Sequence, residues 1–260
     1  MSGAFYEPDG DVMVPTELTR GPWDPGAQHA GPPAALLARA VERLEDGAEF
    51  QVGRITFEVL RSVPIAPLRA EARIVRPGRR VQFVEATLSD SEGEAMRASA
   101  WRLRTIPVDL PAEAAGPDRA VPGPAAGQVR EFFDTGQAVG YHTAMEVRFV
   151  EGAFREPGPA TVWMRMRGPL VEGEEPSPLQ RVLVAADAGN GVSAALDLGR
   201  YLFINVDLSV HLERMPAGEW VCLDAVTLAQ PTGVGTADTV LLDEGGRIGR
   251  AVQTLLVSRR

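Results

Sequence analysis

The chain repeats part of itself, and this internal repeat limits the folds open to it more than any other feature of the sequence. Residues 88–98 read LSDSEGEAMRA and residues 241–251 read LLDEGGRIGRA. Asp90, Gly93, Arg97 and Ala98 of the first copy recur at identical spacing as Asp243, Gly246, Arg250 and Ala251 of the second. Strand-like runs flank both copies, which predicts two β-hairpins with Asp and Gly at the turn. Each half must then hold a similar set of elements.

Each half is predicted to contain one helix followed by a run of about four strands joined by short turns, which favours antiparallel pairing. The helices are predicted at residues 32–44 and 178–189, because both segments open with proline and carry apolar residues at helical spacing. Residues 105–128 are rich in Pro, Ala and Gly, and we expect them to link a first unit, 1–104, to a second, 129–260. A helix on the apolar face of such a sheet makes an α+β unit, and two units side by side can share one sheet.

Composition and charge exclude several functional classes. The 260 residues carry a net charge of -9, so no positive field attracts a phosphate backbone, and we expect no nucleic-acid partner. The absence of lysine excludes Schiff-base chemistry and a Walker lysine. No run approaches the roughly 20 apolar residues of a membrane helix, and the first residues lack an apolar leader. We therefore expect a cytoplasmic protein without membrane association.

The number and spacing of the cysteine and histidine residues do not indicate a metal site. Cys222 is the single cysteine and lies in a strand-like run, so it is expected to be a small core residue. The three histidines, His29, His142 and His211, do not show the helical i, i+4 pair of a zinc site. We expect neither a metal nor another cofactor.

Three passages resemble one protein family over nearly the whole chain. They are HAGPPAALLARAVE from residue 29, FINVDLSVHLERMPAGEWVCLDAVT from residue 203, and DEGGRIGRAVQTLLVSR from residue 243. Together they are similar to the double-hotdog thioesterases of the acyl-CoA thioesterase II family and its thioesterase-like relatives. The resemblance implies two tandem hotdog units, each an antiparallel sheet wrapped around one helix. It also implies hydrolysis of an acyl-CoA or another acyl thioester, as in fatty acid metabolism, and allows a homo-oligomer.

The same resemblance implies a catalytic trio in the second unit, on Asp207, Thr227 and Gln253. Thioester hydrolysis needs a positioned water, a group that takes its proton and donors for the developing oxyanion. Asp207 would be the base, while Thr227 and Gln253 would hold the water and orient the carboxylate. No G-x-S-x-G motif is present, so direct attack by water fits better than an acyl-enzyme.

The repeat provides a comparison that does not depend on the family. When the two hairpin motifs are aligned, Gln253 lies opposite Ala100 and Thr227 opposite Ile74. When RITFEVLRSVP and VDLSVHLERMP are aligned by their final prolines, Asp207 lies opposite Ile55. One copy is polar where the other is apolar, which favours a functional role for the trio.

Substrate-binding residues are predicted at the start of the first helix and along both helices. His29 and Gly31 are expected to line the thioester channel, where backbone N–H groups polarise the thioester oxygen. An apolar tunnel for the acyl chain is predicted between a helix and the neighbouring sheet. Its candidate lining is Leu36, Leu37, Leu183 and Val184, and for each of them singly the favoured alternative is that it fills the core.

Three alternatives remain open at this stage. Asp207 could be an ordinary strand carboxylate that faces solvent or pairs with an arginine. The chain could bind an acyl thioester without hydrolysing it. Asp207 and His211, four apart on one strand face, could also form the proton-shuttling pair of an enoyl-thioester hydratase.

Overall fold

The computed structural model describes residues 3–44, 49–111, 114 and 120–260. Its first half contains β1 (Tyr6–Asp9), β2 (Val12–Pro15), α1 (Gly31–Glu42), β3 (Phe50–Val59), β4 (Arg69–Arg76), β5 (Val81–Asp90) and β6 (Gly93–Arg104). Its second half contains α2 (Tyr141–Ala144), β7 (Met145–Ala153), β8 (Glu156–Met166), α3 (Pro178–Ala186), α4 (Gly189–Val192), β9 (Tyr201–Asn205), β10 (Asp207–Leu212), β11 (Val221–Ala229), β12 (Val234–Asp243) and β13 (Gly246–Arg259).

One continuous sheet joins the two halves. Its strand order is β4-β5-β6-β3-β10-β13-β12-β11-β8-β7, and β9 also pairs with β13. The halves meet where β3 runs antiparallel to β10, with Ile55 opposite Val210. At this seam the Thr56 and Ser209 hydroxyls lie 2.5 Å apart in a hydrogen bond. The predicted merging of two antiparallel sheets is confirmed.

Each half of the sheet packs on its own helix, which is the double hotdog arrangement that the resemblance implies. Helix α1 contacts β4, β5 and β6, and α3 contacts β8 and β11. Helix α1 begins one residue before the predicted range and ends at Glu42. Helix α3 begins at the predicted Pro178 but ends at Ala186, and a separate short helix, α4, follows. The α+β double hotdog fold is confirmed.

The pairing of residues between neighbouring strands shows that the repeat holds position by position over three strands. In the first half Ile74 lies opposite Val84, and Val84 opposite Ala100. In the second half Thr227 lies opposite Ala237, and Ala237 opposite Gln253, which is the same register shifted by 153 positions. The predicted equivalences of Thr227 with Ile74 and of Gln253 with Ala100 are therefore observed in space.

An arginine–aspartate pair is repeated with the same shift. Arg61 donates to Asp90 and to the carbonyl of Gly93, at 2.5 and 2.9 Å. The residues 153 positions later repeat the contacts, since Arg214 donates to Asp243 at 2.5 and 2.6 Å and to the carbonyl of Gly246 at 3.1 Å.

The shift of 153 positions also corrects the predicted alignment of the strands that end near proline. Ile55 lies opposite Ala100 in the first half, and the β10–β13 register, which places Ser209 opposite Val252, puts Leu208 level with Gln253. The residue equivalent to Asp207 is therefore Arg54 rather than Ile55. The two prolines are not equivalent, and aligning them moved the strands by one residue.

Helices α1 and α3 approach each other closely enough to require a glycine. A Cβ atom on Gly31 would lie 2.6 Å from the carbonyl oxygen of Val184. At the other end of α1, Glu42 accepts hydrogen bonds from the Ser177 hydroxyl and the Gln180 amide, at 2.8 and 3.0 Å. Gly31 thus sets the distance between the helices, and the predicted role of its N–H in polarising the substrate is not supported by this position.

Several elements were not expected from the sequence. Strands β1 and β2 form a separate two-stranded sheet, and β7 and β8 extend the large sheet at its second-half edge. The predicted linker, 105–128, includes residues 112–113 and 115–119, which lie outside the described residues. The unit boundaries at 104 and 129 stay predictions. In the described ranges, no helix is long and apolar enough to cross a membrane.

The two ion pairs allow a matched stability test. Burial alone would raise the pKa of Asp243, but hydrogen bonds from Arg214 and from the N–H groups of Ala217 and Gly245 lower it overall. We expect Asp243→Asn to reduce the free energy of unfolding by about 1.5–3 kcal/mol, the usual effect of losing hydrogen bonds to a charged group. Asp90→Asn should cost less, because the structure records only Arg61 and the Glu92 N–H as donors to Asp90 among the described residues. Urea unfolding of both variants measures the difference, and equal losses would contradict it.

Candidate active site

A cavity of about 470 Å³ lies where the two halves meet. Its volume is in the range of small-molecule sites, roughly 300–1,000 Å³. Its lining comes from both halves and is mostly apolar. Lining residues include Trp23, His29, Val59, Val63, Phe133, Met145, Phe154, Met164, Asp187, Ala188, Asn190, Val192 and Ile204.

Aromatic side chains form one wall of this cavity. Trp23 stacks on Phe133 with ring centroids 5.6 Å apart. Phe133 also stacks on Phe132, and Phe132 meets Phe154 edge to face. The wall is therefore apolar, and it suits a hydrophobic group better than a charged one.

Asp187 is the buried carboxylate of the cavity. It follows α3 directly, at the negative end of the helix dipole, where a carboxylate is unfavourable. Its side chain is only 4 % exposed. Three nitrogen atoms compensate: Asn205 Nδ2 and Gln253 Nε2 donate to Oδ1 at 2.8 and 3.2 Å, and His29 Nδ1 lies 3.0 Å from Oδ2.

Gln253 holds the segment around Asp187 in place. It lies on β13, is 1 % exposed, and its Nε2 donates to the Asp187 carbonyl at 3.0 Å. Its Oε1 accepts a hydrogen bond from the backbone N–H of Asn190 at 3.1 Å. Gln253 therefore joins the sheet to the α3–α4 connection, and it is not part of the cavity lining.

Thr227 supports the same α3–α4 connection through Ser193. Its hydroxyl lies 2.8 Å from the hydroxyl of Ser193, which donates to the carbonyl of Gly189 at 2.8 Å. Among the described residues no contact between Thr227 and Asp187 is recorded. The structure thus brings Thr227 and Gln253 to the same segment, as supports of Asp187 and Asn190.

The expectation that Asp207 contacts Thr227 or Gln253 is wrong. Its carboxylate accepts hydrogen bonds from the backbone N–H and the hydroxyl of Thr254, at 2.5 and 3.2 Å. It lies on the outer face of the sheet, because the neighbouring Leu208 and Val210 are buried on the inner face. Asp207 does not line the cavity.

A β-bulge gives the physical reason. Leu255 lies opposite Asn205, but Val252 lies opposite Ser209, so three steps along β13 match four steps along β9 and β10. The extra residue turns Asn205 towards Asp187 and turns Asp207 outwards. His211 shares the outer face and is exposed, so the pair predicted for a hydratase points away from the cavity.

His29 is the one predicted binding residue that lines the cavity. It precedes α1, and its ring stacks on Tyr141 with centroids 3.7 Å apart and planes 5° from parallel. The Tyr141 hydroxyl donates to the carbonyl of Val184 at 2.7 Å. Burial lowers the pKa of His29 below its ordinary value, and the neighbouring charge of Asp187 raises it by less.

None of the four residues considered as tunnel lining borders the cavity. Each of the four side chains is fully buried in the core. These residues are Leu36, Leu37, Leu183 and Val184. They lie on the faces of α1 and α3 that pack against other elements, so the helices fill the core and the cavity opens beyond their ends.

Sequence reasoning missed the central residue, Asp187, and its partner Asn205. It also missed Asn190 and Ser193 in the segment that follows Asp187. One signal was available: Asp187 directly follows an apolar helix, at the end where its charge is least favourable. The contacts of Asn205 and Ser193 carry no comparable signal. In the described part of the chain, no group of three or more His, Cys, Asp or Glu side chains is placed to hold a metal ion.

Two family profiles match the chain. Residues 19–103 match the acyl-CoA thioesterase N-terminal domain, and residues 116–257 match the acyl-CoA thioesterase C-terminal domain. No curated protein gives a significant match.

Solved structures resemble the chain over nearly its full length. A proposed thioesterase II from Thermobifida fusca is 19% identical with a TM-score of 0.75, covering 96% of this chain and 94% of that one. A protein of unknown function with a hot dog fold from Alicyclobacillus acidocaldarius is 17% identical with a TM-score of 0.73, covering 100% and 96%. An acyl-CoA thioesterase II from Mycobacterium marinum is 16% identical with a TM-score of 0.64, covering 90% and 91%. At these identities the likeness shows a shared fold.

The contact between His29 and Asp187 predicts a shift in a measurable pKa. Since the charge of Asp187 raises the pKa of His29, Asp187→Asn should lower that pKa further. An NMR titration of the three histidine rings measures it. Asp207→Asn is the control, because it removes a carboxylate from the outer face and should leave His29 unchanged. A pKa that rises in Asp187→Asn would contradict the assignment.

Proposed function

This chain belongs to the acyl-CoA thioesterase family, and from that premise we propose that it hydrolyses an acyl thioester by direct attack of water in the cavity between its two halves. The observation that carries the proposal is the placement of Asp187, a buried carboxylate on the wall of an apolar cavity. A carboxylate in such a place is costly unless its charge is used or compensated. The compensating donors come from both halves of the chain.

The cavity is suited to bind the acyl part of the substrate. Its walls are formed largely by aliphatic and aromatic side chains such as Val59, Met145 and Phe154. An acyl chain can leave water there, with a gain of about 0.8 kcal/mol for each buried CH₂ group. The thioester carbonyl would then lie beside the polar cluster around Asp187. Either coenzyme A or an acyl carrier protein could supply the thiol portion.

The polar side chains around Asp187 are suited to catalyse the hydrolysis. Asp187 and the groups bonded to it activate a water molecule, which attacks the thioester carbon, and the thiol leaves when the tetrahedral intermediate collapses. Asn190 borders the cavity, and no hydrogen bond of its side-chain amide is recorded in the described ranges. That amide is suited to donate to the oxyanion. Ser193 is fully buried and already bonded to Thr227 and Gly189, which argues against a serine nucleophile.

Paired carboxamide variants test the proposal. On an acyl-CoA substrate that the wild type hydrolyses, Asp187→Asn should reduce kcat by about 10²- to 10⁴-fold, the usual contribution of base catalysis. Asp207→Asn makes the same chemical change on the outer face and should retain kcat. The release of free thiol from acyl-CoAs of several chain lengths gives the rates, and the melting temperature of each variant shows whether it is folded. A loss of kcat confined to Asp207→Asn would restore Asp207 as the base.

A further inference from the structure

We infer that His29, oriented by Asp187, is the catalytic residue that takes the proton from the attacking water. This inference rests on the proposed hydrolysis and names the proton acceptor within that site. The first half of the chain supplies the imidazole and the second half supplies the carboxylate that orients it. Neither half then carries a complete site.

The acceptor positions of Asp187 are almost filled by protein groups. A carboxylate offers about four lone-pair positions, two on each oxygen. Asn205 Nδ2 and Gln253 Nε2 occupy those of Oδ1, and His29 Nδ1 faces Oδ2. With its side chain only 4 % exposed, Asp187 is better placed to hold another group than to receive a water molecule itself.

The partners of His29 decide which ring nitrogen carries the proton. Nδ1 lies 3.0 Å from Asp187 Oδ2, and the backbone N–H of Gly31 is placed to donate to the same Nδ1 at 3.2 Å. One ring position cannot donate to the first and accept from the second at once. Because Asp187 already accepts two hydrogen bonds, a bare Nδ1 would place a lone pair against the oxygen of an anion. The proton is therefore assigned to Nδ1, which leaves Nε2 as the free acceptor.

The free nitrogen is accessible and the ring is held in place. His29 lines the cavity with its side chain 14 % exposed, and no hydrogen bond of Nε2 is recorded among the described residues. Tyr141 covers one face of the ring and is anchored by its bond to Val184. A water molecule in the cavity can therefore reach Nε2 while Nδ1 stays 3.0 Å from Asp187 Oδ2, an arrangement similar to that in which aspartate orients a catalytic histidine.

The proton and electron balance of the step is complete without a further reactant. The water oxygen forms a bond to the thioester carbon while one of its protons moves to Nε2, and the carbonyl electrons move onto oxygen. The intermediate then collapses, the carbon–sulfur bond breaks, and the leaving thiolate takes the proton from Nε2. The products are a carboxylic acid and a thiol, and His29 returns to its neutral form.

The surroundings of His29 favour the neutral ring that a base requires. Burial lowers its pKa, so the ring is neutral at neutral pH, and activity should be lost only as the pH falls through that lowered value. Other charged or titratable groups border the same cavity. They are Arg20, Asp24, Arg61, Tyr141, His142 and Asp187.

The kinetic test uses His29→Gln, with His211→Gln as the control. Glutamine can still donate to Asp187 but cannot take a proton, so kcat should fall by about 10²- to 10⁴-fold. The acid limb that His29 produces in the pH profile should disappear. His211 lies on the outer face, and its variant should keep both the rate and the profile. Added imidazole should restore part of the rate to His29→Ala, which a purely structural role would not allow.

A second measurement does not depend on activity. The ¹⁵N chemical shifts of the wild-type His29 ring should report a proton on Nδ1 and none on Nε2, and Asp187→Asn should change that preference. A proton on Nε2 in the wild type would overturn the inference, even if every variant failed to fold. If the wild type hydrolyses acyl-CoAs and folded His29→Gln retains kcat, the inference is wrong and the proposed hydrolysis stands. If the wild type hydrolyses no thioester, the proposed function fails and the catalytic role of His29 fails with it.

Discussion

The pairing of β3 with β10 is the contact on which the rest of the molecule depends. It joins two sheets into one, and it brings α1 and α3 so close that only a glycine fits at position 31, against the carbonyl of Val184. This approach places the start of α1 beside the end of α3. His29 and Asp187, which are 158 positions apart in the sequence, therefore lie 3.0 Å apart. The cavity exists because the two halves meet in this way.

The two halves keep a common framework and differ at a few inner positions. The arginine–aspartate pair and its glycine carbonyl are the same in both, and they hold equivalent hairpins. Ala100 and Ile74 of the first half are replaced by Gln253 and Thr227 in the second. These two polar groups hold the segment that carries Asp187 and Asn190. The duplication therefore yields one polar site at the seam, with one half specialised to support it.

The network around Asp187 has the properties expected of a functional site. A carboxylate that is removed from water at the negative end of a helix destabilises the folded state unless several donors compensate for its charge. Here the compensating nitrogen atoms come from β13, from the last residue of β9 and from the residue two positions before α1. A buried network of this kind fixes side-chain positions closely, because each unsatisfied group would be costly. Such fixed positions are what a reaction with a small, mobile nucleophile such as water requires.

The sequence by itself determined the repeat, the two helices and the antiparallel strands, because hydrophobic periodicity and turn residues act over a few neighbouring positions. The double hotdog fold was implied by the resemblance of three passages to one family. The sequence also determined that Thr227 and Gln253 occupy positions that are apolar in the first half. The alternation of Leu208, Val210 and Leu212 with Asp207, Ser209 and His211 was readable as well, and it already favoured an outward Asp207. Only the tertiary structure decided that Asn205 faces inwards across a bulge, and that Asp187 meets His29. Those contacts depend on strand register and on the meeting of the two halves, which bring together residues far apart in the chain and leave no local pattern in the sequence.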